Sequence, residues 1–192
     1  MPNKNKIPLQ ARGINTRNNI ILIAFKSFLK NGYKKTSTTK IAKEAGVSVG
    51  IIYSYFNDKD ELLELWLNNL LEKCEDYFYD QFKLRDYNVE LYLIINNILE
   101  KLTSRFFCSP IISETLNRKA KFMIDEFYSK AEKIFIKACY NANLVFKHQN
   151  EISHIILGLI KNYSLDLKSD KFKSNNEVLK KQYIKCITSL LD

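Results

Sequence analysis

Hydrophobic residues along this chain recur mostly every three or four positions, the spacing that places side chains on one face of an α-helix. The first such stretch begins at Ile20, behind a candidate N-cap at Thr16, and ends at Gly32, which predicts a helix of about fifteen residues. Further stretches predict helices over 58–82, 89–107, 118–142, 150–167 and 175–191, and a short one from Ser109 to near Asn117. Since no alternating strand pattern or Asn-Gly hairpin signal appears, the expected fold is all-α with about nine helices.

The tract from Thr38 to Asn57 predicts two short helices that share a small core. Ile41 and Ala45 lie four positions apart on the first helix, and Ile52 and Tyr55 lie three apart on the second. Each pair therefore falls on one helical face, and the two faces can meet.

The connection between these two short helices has the residues that a tight turn requires. Gly46 stands where the chain leaves the first helix, a position that commonly has positive φ and favours a residue without Cβ. Ser48 is a good N-cap for the second helix, and Ser37 or Thr38 can cap the first. Together these signals predict a helix-turn-helix, the motif that places a helix in the DNA major groove.

Length and composition are typical of an ordinary globular protein. The chain has 192 residues, of which 46% are hydrophobic and 27% charged. Its longest apolar runs fall well short of the roughly 20 residues that a membrane-spanning helix needs, and its start does not resemble a signal peptide. We therefore expect a cytoplasmic location and no membrane association.

The positive charge is concentrated near the N-terminus. The net charge is +9, and residues 1–66 carry eleven Lys or Arg against five Asp or Glu, a net +6. This asymmetry favours a nucleic-acid-binding surface on the first third of the chain. The alternative is that Lys is abundant because the genome is rich in A·T pairs.

The cysteines and histidines do not suggest a metal centre. Cys74, Cys108, Cys139 and Cys186 are scattered without a CxxC pair, and His148 and His154 are the only histidines. We expect buried free thiols, with redox sensing as the alternative, and no cofactor.

The chain is expected to divide into three parts. Residues 1–15 are polar and basic, which predicts a flexible arm. This arm either reaches the DNA minor groove or is a disordered terminus without a function. Residues 16–57 are expected to form the helix-turn-helix domain. Residues 58–192 are expected to form a helical domain for ligand binding and dimerisation, and its first helix begins with the capping pair Asp58 and Glu61.

The residues from Arg17 to Trp66 resemble the tetracycline-repressor-like (TetR) family of bacterial and archaeal transcription regulators. The resemblance covers about a quarter of the chain and depends on an ordered series of short motifs: Gly32-Tyr33, Thr36-Ser37, Ile41-Ala42, Ala45 to Ser48, Gly50, Tyr53 to Phe56 and Lys59 to Leu63. It implies a homodimer that binds an operator in double-stranded DNA, with a four-helix interface made by the last two helices of each subunit. It also implies a small-molecule inducer pocket among the middle helices.

The candidate DNA-binding residues lie on and around the two short helices. They are Arg17, Ser37, Thr38, Thr39, Lys40, Ser48, Val49, Gly50, Ile51, Tyr53, Ser54 and Lys59. Tyr53 resembles a family tyrosine that contacts phosphate, with packing as the alternative. Lys59 matches a phosphate-contacting family lysine, with a solvated first-turn lysine as the alternative. Val49 and Ile51 depart from the family pattern and can touch thymine methyls, but they cannot make bidentate hydrogen bonds to bases.

Aromatic residues dominate the predicted helical domain. Those expected to line an inducer cavity are Phe78, Phe82, Tyr92, Phe106, Phe122, Phe127 and Tyr163, although packing in the core is the alternative for each. The last two helices carry apolar stripes broad enough for a partner helix, with an intramolecular core as the alternative.

These features favour a ligand-responsive transcription regulator, most plausibly a repressor released from its operator by an inducer. An enzyme is disfavoured because no Ser-His-Asp grouping, phosphate-binding glycine loop or metal constellation is visible. A third hypothesis is an interaction adaptor that has kept the fold and lost sequence-specific DNA binding, as Val49 and Ile51 would allow.

Overall fold

The computed structural model describes residues 11–84, 90–105, 116–144, 147–167 and 176–191, and the regular structure in these ranges is entirely helical. Eight helices occur there: α1 Ala11–Asn31, α2 Thr38–Ala45, α3 Val49–Tyr55, α4 Lys59–Lys83, α5 Leu91–Arg105, α6 Arg118–Asn141, α7 Gln149–Asp166 and α8 Asn176–Leu191. The all-α prediction is confirmed. The additional short helix predicted from Ser109 lies outside the described residues.

Helix α1 begins six residues before Arg17, the first helical position that an N-cap at Thr16 would give. It starts at Ala11, and the Thr16 hydroxyl donates to the Arg12 carbonyl at 3.0 Å, a hydrogen bond from within the helix. Thr16 is therefore not an N-cap, and residues 11–15 are helical and not part of a flexible arm. Gly13 is the least favourable residue for a helix in this stretch, and its cost of about 1 kcal/mol is too small to stop a helix whose later turns are anchored in a core.

The described residues form two compact units. The first comprises 11–69 and 116–125, and the second comprises 70–84, 90–105, 126–144, 147–167 and 176–191. Helices α4 and α6 each contribute residues to both units. The first unit therefore contains the first turns of α4 in addition to the three helices before it.

The core of the first unit is built around Phe28 on α1. Its ring centroid lies 5.9 Å from that of Tyr33 and 6.1 Å from that of Trp66. The other fully enclosed side chains include Ile20, Ala24, Ile41, Ala42, Ile52, Phe56, Leu62 and Leu63. Ile41 and Ile52 thus share a core as predicted.

Two predicted core positions of the helix-turn-helix are only half buried. Ala45 and Tyr55 lie at the margin, while Phe56 is completely enclosed. The chain leaves the helical conformation at Phe56, with φ −130° and ψ 142°. This extended residue turns its ring toward the core, an outcome that helical periodicity alone does not predict.

The second unit packs α5 against α7 and α8, and α7 against α8. Phe135 on α6 makes edge-to-face contacts with Phe78 and Phe82 on α4, at centroid distances of 5.3 and 5.7 Å. Other enclosed residues are Ile94, Ile95, Ile98, Leu99, Ile156, Ile160, Tyr163, Ile184, Ile187 and Leu191.

The described cysteines differ in their exposure. Cys74 and Cys139 are buried, and burial raises the pKa of each thiol to about 12, so both stay protonated and unreactive at neutral pH. Cys186 is exposed, which contradicts the expectation that the thiols are buried. Cys108 lies outside the described residues.

Neither a membrane-spanning helix nor a metal-binding cluster occurs among the described residues. No described helix is both long and apolar enough to cross a membrane. In the same ranges, no group of three or more His, Cys, Asp or Glu side chains is placed to hold a metal ion.

Candidate nucleic-acid interface

The start of α2 is capped as the sequence predicted. Ser37 adopts an extended conformation, and its hydroxyl accepts a hydrogen bond from the Lys40 amide at 3.2 Å. The helix ends at Gly46, which has φ 69° and ψ 31°, the left-handed conformation that favours glycine. The tight turn between α2 and α3 therefore has the predicted chemistry.

Helix α3 presents most of one face to solvent. Its N-cap Ser48 accepts a hydrogen bond from the Ile51 amide at 3.3 Å. Gly50 and Ser54 are exposed, Ile51 is 39% exposed and Tyr53 is 46% exposed. Ile52 is buried and Val49 is half buried, so the residues available to a partner follow the pattern expected of a recognition helix.

Two hydroxyl groups meet at the edge of this face. Thr38 Oγ1 at the start of α2 lies 3.3 Å from Tyr53 OH on α3, and either group can be the donor. Both side chains are accessible, and the amide groups of the first turn of α2 lie beside Thr38. Hydroxyl donors next to a helix N-terminus form a suitable site for a phosphate oxygen.

Lys59 has partners that the sequence did not indicate. Its ammonium donates to the carbonyls of Tyr33 at 2.8 Å and Thr36 at 2.9 Å, and it lies 3.8 Å from the centroid of the Tyr33 ring. Lys59 is half buried and its charge faces the turn between α1 and α2. Its role as a phosphate contact stays a prediction, whereas these contacts indicate that it holds the turn.

Two further residues, Thr36 and Arg17, make contacts beside the helix-turn-helix. Thr36 is buried, and its hydroxyl donates to the Gly32 carbonyl at 2.7 Å, which fixes the turn that leads to Ser37. The Arg17 guanidinium lies 5.3 Å from the centroid of the Phe56 ring. The remaining candidates on α2, Thr39 and Lys40, are exposed and half buried respectively.

A hollow of about 780 Å³ lies between the start of α1 and the helix-turn-helix. Arg12, Thr16 and Asn19 line it on the α1 side, opposite residues of the turn and of α3 that include Ile51 and Ser54. The Asn19 side-chain amide also donates to the Ala45 carbonyl at 3.3 Å. Thr16 and Asn19 are absent from the predicted DNA-binding residues, and Arg12 was predicted only as part of the basic arm, because the predicted α1 begins too late to place the three residues together. Helical spacing continued back from Ile20 would have placed them on one face.

The predicted inducer-binding residues do not form one group. Phe78, Phe82, Phe127 and Tyr163 are buried in the second unit, where they pack against other aromatic rings. Tyr92 is 41% exposed and Phe122 is 67% exposed, so neither lines an enclosed cavity in this structure. Phe106 lies outside the described residues.

A capped α2, a left-handed glycine turn and an α3 with an exposed face follow one another along the chain. This arrangement defines a DNA-binding helix-turn-helix protein. Comparison with known proteins agrees with this class. Residues 20–65 match the family described as "Bacterial regulatory proteins, tetR family". The regulator HbdR of Aromatoleum sp. (strain CIB) is 49% identical over 59 residues, which is 31% of this chain and 26% of HbdR.

Other similarities extend over most of the chain. The HTH-type transcriptional regulator SAB2452 of Staphylococcus aureus (strain bovine RF122 / ET3-1) is 27% identical over 185 residues, with 85% of this chain and 97% of the relative covered. The crystal structure of the regulator FadR from Bacillus subtilis, in complex with stearoyl-CoA, has a TM-score of 0.66 at 17% identity. That comparison covers 88% of this chain and 96% of FadR, and it shows a shared fold. Together, the match over residues 20–65 and the similarity over most of the chain support a TetR-family helix-turn-helix transcription regulator.

Proposed function

We propose that this protein is a dimeric repressor that binds an operator in duplex DNA and leaves it when a small molecule binds the second unit. The observation that carries the proposal is the exposed face of α3, with the Thr38 and Tyr53 hydroxyls paired at its edge. Because an operator is part of the chromosome, this function implies a cytoplasmic location.

The contacts proposed for DNA divide into two kinds. The first kind positions the protein on the duplex through hydroxyl, ammonium and amide donors to phosphates. These donors come from Ser37, Thr38, Thr39, Lys40 and Tyr53. Gly50, Ile51 and Ser54 face the major groove together with the neighbouring Val49 and Ser48. Ile51 offers an apolar surface for thymine methyls, so much of the sequence preference is assigned to methyl contacts and to DNA shape.

Dimerisation is proposed through faces of α7 and α8 that the subunit does not bury itself. On α7, Ile152, Ile155 and Leu159 follow a three-and-four spacing and are incompletely buried, next to the enclosed Ile156 and Ile160. On α8, Leu179, Cys186 and Leu190 are likewise outside the core. A two-fold dimer would present its recognition helices about 34–36 Å apart, which matches one turn of DNA.

Ligand response is proposed through α4, which contributes residues to both units. FadR from Bacillus subtilis was crystallised with stearoyl-CoA, which supports a small-molecule effector for a protein of the same fold. An effector that favours a different position of α4 must weaken operator binding reciprocally. A coupling of about 1–3 kcal/mol corresponds to a 5- to 150-fold loss of affinity.

Replacing Tyr53 by Ala is expected to weaken operator binding about tenfold, because a hydrogen bond to a charged phosphate is lost. Fluorescence anisotropy with labelled DNA from upstream of the protein's own gene measures the change. Tyr79→Ala, which removes an exposed tyrosine from α4 in the second unit, is the matched control. Equal affinities for Tyr53→Ala and the control would contradict the Tyr53 assignment. Binding that shows no sequence preference would favour the adaptor hypothesis.

Replacing Ile155 by Lys is expected to raise the dimer dissociation constant at least about tenfold, because an ammonium would be buried without a partner. Ile155 is 49% exposed in the subunit, so the subunit itself should remain folded. Sedimentation equilibrium over a range of concentrations measures the change, with Tyr140→Lys on α6 as the control. A wild-type protein that stays monomeric at high concentration would refute the dimer.

A further inference from the structure

A cluster of charged and hydroxyl groups joins the first turns of α4 and α6 in the first unit. The Lys119 ammonium on α6 lies 3.1 Å from Asp58 Oδ2 and 3.0 Å from Asp60 Oδ2. The Tyr33 hydroxyl donates a hydrogen bond to the other oxygen of Asp60. Lys119 is therefore connected to the turn between α1 and α2 through a single carboxylate.

Lys59 also holds this turn. The Lys59 ammonium binds the carbonyls of Tyr33 and Thr36, and Thr36 directly precedes Ser37, the N-cap of α2. The residue after this cap is Thr38, whose hydroxyl meets that of Tyr53. These contacts form a positioning network that ends at the proposed phosphate site. Its members are Tyr33, Lys59, Asp60 and Lys119.

The protonation states suit these contacts. Burial, with the hydrogen bond to Asp60, raises the pKa of Tyr33, so its hydroxyl remains a donor at neutral pH. Hydrogen bonds to Asp60 and Asp58 raise the pKa of Lys119. Burial alone would raise the pKa of Asp58, but the hydrogen bonds from the Glu61 amide and from Lys119 outweigh it and the pKa is lowered.

Stability alone is a weak explanation for the Lys119 contacts. The Lys119 and Asp58 side chains are largely exposed, and exposed ion pairs contribute little to the free energy of folding. Asp60 is mostly buried and accepts from both Tyr33 and Lys119, so its position depends on both partners. A contact that adds little stability can still determine where a carboxylate and its tyrosine partner lie.

We propose that Lys119 and Lys59 are positioning residues for operator binding. Lys119 acts through Asp60 and Tyr33, and Lys59 acts directly on the Tyr33 and Thr36 carbonyls; both hold the turn before α2, so that the Thr38 and Tyr53 hydroxyls reach the same phosphate. Helix α6 contributes its first residues to this unit and continues with Glu126–Asn141 in the other. The inference rests on the proposed function, and it makes Lys119 the residue through which α6 acts on the DNA-contacting turn.

Salt dependence separates positioning from direct phosphate contact. Each phosphate contact made by a lysine releases counterions and adds about 0.9 to the slope of log K against log salt. A positioning residue releases none. Its loss should weaken binding by a similar factor at every salt concentration and leave the slope unchanged, whereas loss of a contact should reduce the slope by about 1.

The experiment measures operator affinity of the full-length protein at several salt concentrations. Lys119→Met and Lys59→Met are each expected to weaken binding about fivefold to tenfold with an unchanged slope, and Lys119→Arg is expected to retain most of the affinity. Lys121→Met, at an exposed position two residues further along α6, removes the same charge and is the control. Equal operator affinities for Lys119→Met and Lys121→Met would overturn the proposal. A salt slope reduced by about 1 in Lys119→Met or Lys59→Met would overturn it as well.

A double variant tests whether the residues act together. Because Lys119 and Tyr33 share Asp60, the affinity losses of Lys119→Met and Tyr33→Phe should not add when the two are combined. Additive losses would contradict the network. The affinity losses should persist at a temperature low enough for every variant to be fully folded. If they disappear there, they reflect reduced stability, and the network is overturned.

Hydrogen exchange of the free protein tests the network without DNA. Lys119→Met should speed exchange of the amides from Ser37 to Lys40, and Lys121→Met should not. Unchanged exchange in Lys119→Met would overturn the network even if the wild type binds its operator. Faster exchange in a protein whose wild type lacks operator binding would instead reject the proposed function and leave the network supported.

Discussion

Replacing Phe28 by Ala is expected to lower the free energy of unfolding by about 3–5 kcal/mol, the largest stability change among these predictions. The Phe28 side chain is completely buried in the first unit, between Tyr33 and Trp66. Its removal leaves a cavity in the core against which α1, α2 and the start of α4 pack. Because domains have total stabilities of only about 5–15 kcal/mol, operator binding should be lost at temperatures where the wild type binds.

Urea unfolding followed by circular dichroism measures this change. Leu29→Ala is the control, since Leu29 is the next residue on α1 and is 42% exposed. Its truncation should cost less than about 1 kcal/mol. Similar midpoints for Phe28→Ala and Leu29→Ala would show that the core of the first unit is not centred on Phe28.

Replacing Gly50 by Glu is expected to reduce operator affinity at least about 100-fold, since like charges brought together at an interface cost several kcal/mol. Gly50 is exposed on α3, where the proposed complex places the backbone close to DNA. A Cβ at this position would lie 3.7 Å from Ser48 Oγ, an ordinary van der Waals contact. The substitution should therefore leave the fold unchanged while placing a carboxylate against the phosphates.

The control for Gly50→Glu is Ser129→Glu, which makes the same change in net charge at an exposed position of α6. Both variants should match the wild type in helix content and melting temperature. Only Gly50→Glu should lose affinity for the operator in anisotropy measurements. Retained binding would show that this face of α3 does not enter the major groove.

The pH response of the network follows from the lowered pKa of Asp58. A carboxyl group whose pKa is lower in the folded protein contributes stability above its unfolded pKa and loses it as pH falls through the folded value. The Lys119 contacts should therefore be intact at neutral pH and weaken in acid. Because Asp58 is half exposed, the accompanying loss of stability should be small.

Local sequence signals were sufficient for much of the helix-turn-helix. Ser37, Gly46 and Ser48 each determine the conformation of their own residue and its immediate neighbours, so their positions predicted the caps and the turn that the structure shows. Helical spacing likewise predicted the bounds of α5 to α8 within two residues.

The start of α1 and the burial of Phe56 are two features that local sequence signals did not predict. Thr16 resembles an N-cap, yet its hydroxyl bonds to the Arg12 carbonyl inside a helix that begins at Ala11. Phe56 follows the last residue of α3, and its ring is completely buried, with the Arg17 guanidinium 5.3 Å from its centroid. Cap propensity is too weak to outweigh packing at either position.

By itself the sequence determined the helical class, the capped turn and the exposed face of α3, because these depend on residues within a few positions of one another. Only the tertiary structure decided that Lys59 binds carbonyls 26 and 23 positions earlier and that Lys119 pairs with a carboxylate 61 positions away. A long charged side chain has many accessible rotamers, and its sequence neighbours do not select among them. The contacts within the first unit select one, and for Lys119 that rotamer connects the first turn of α6 to the turn before α2.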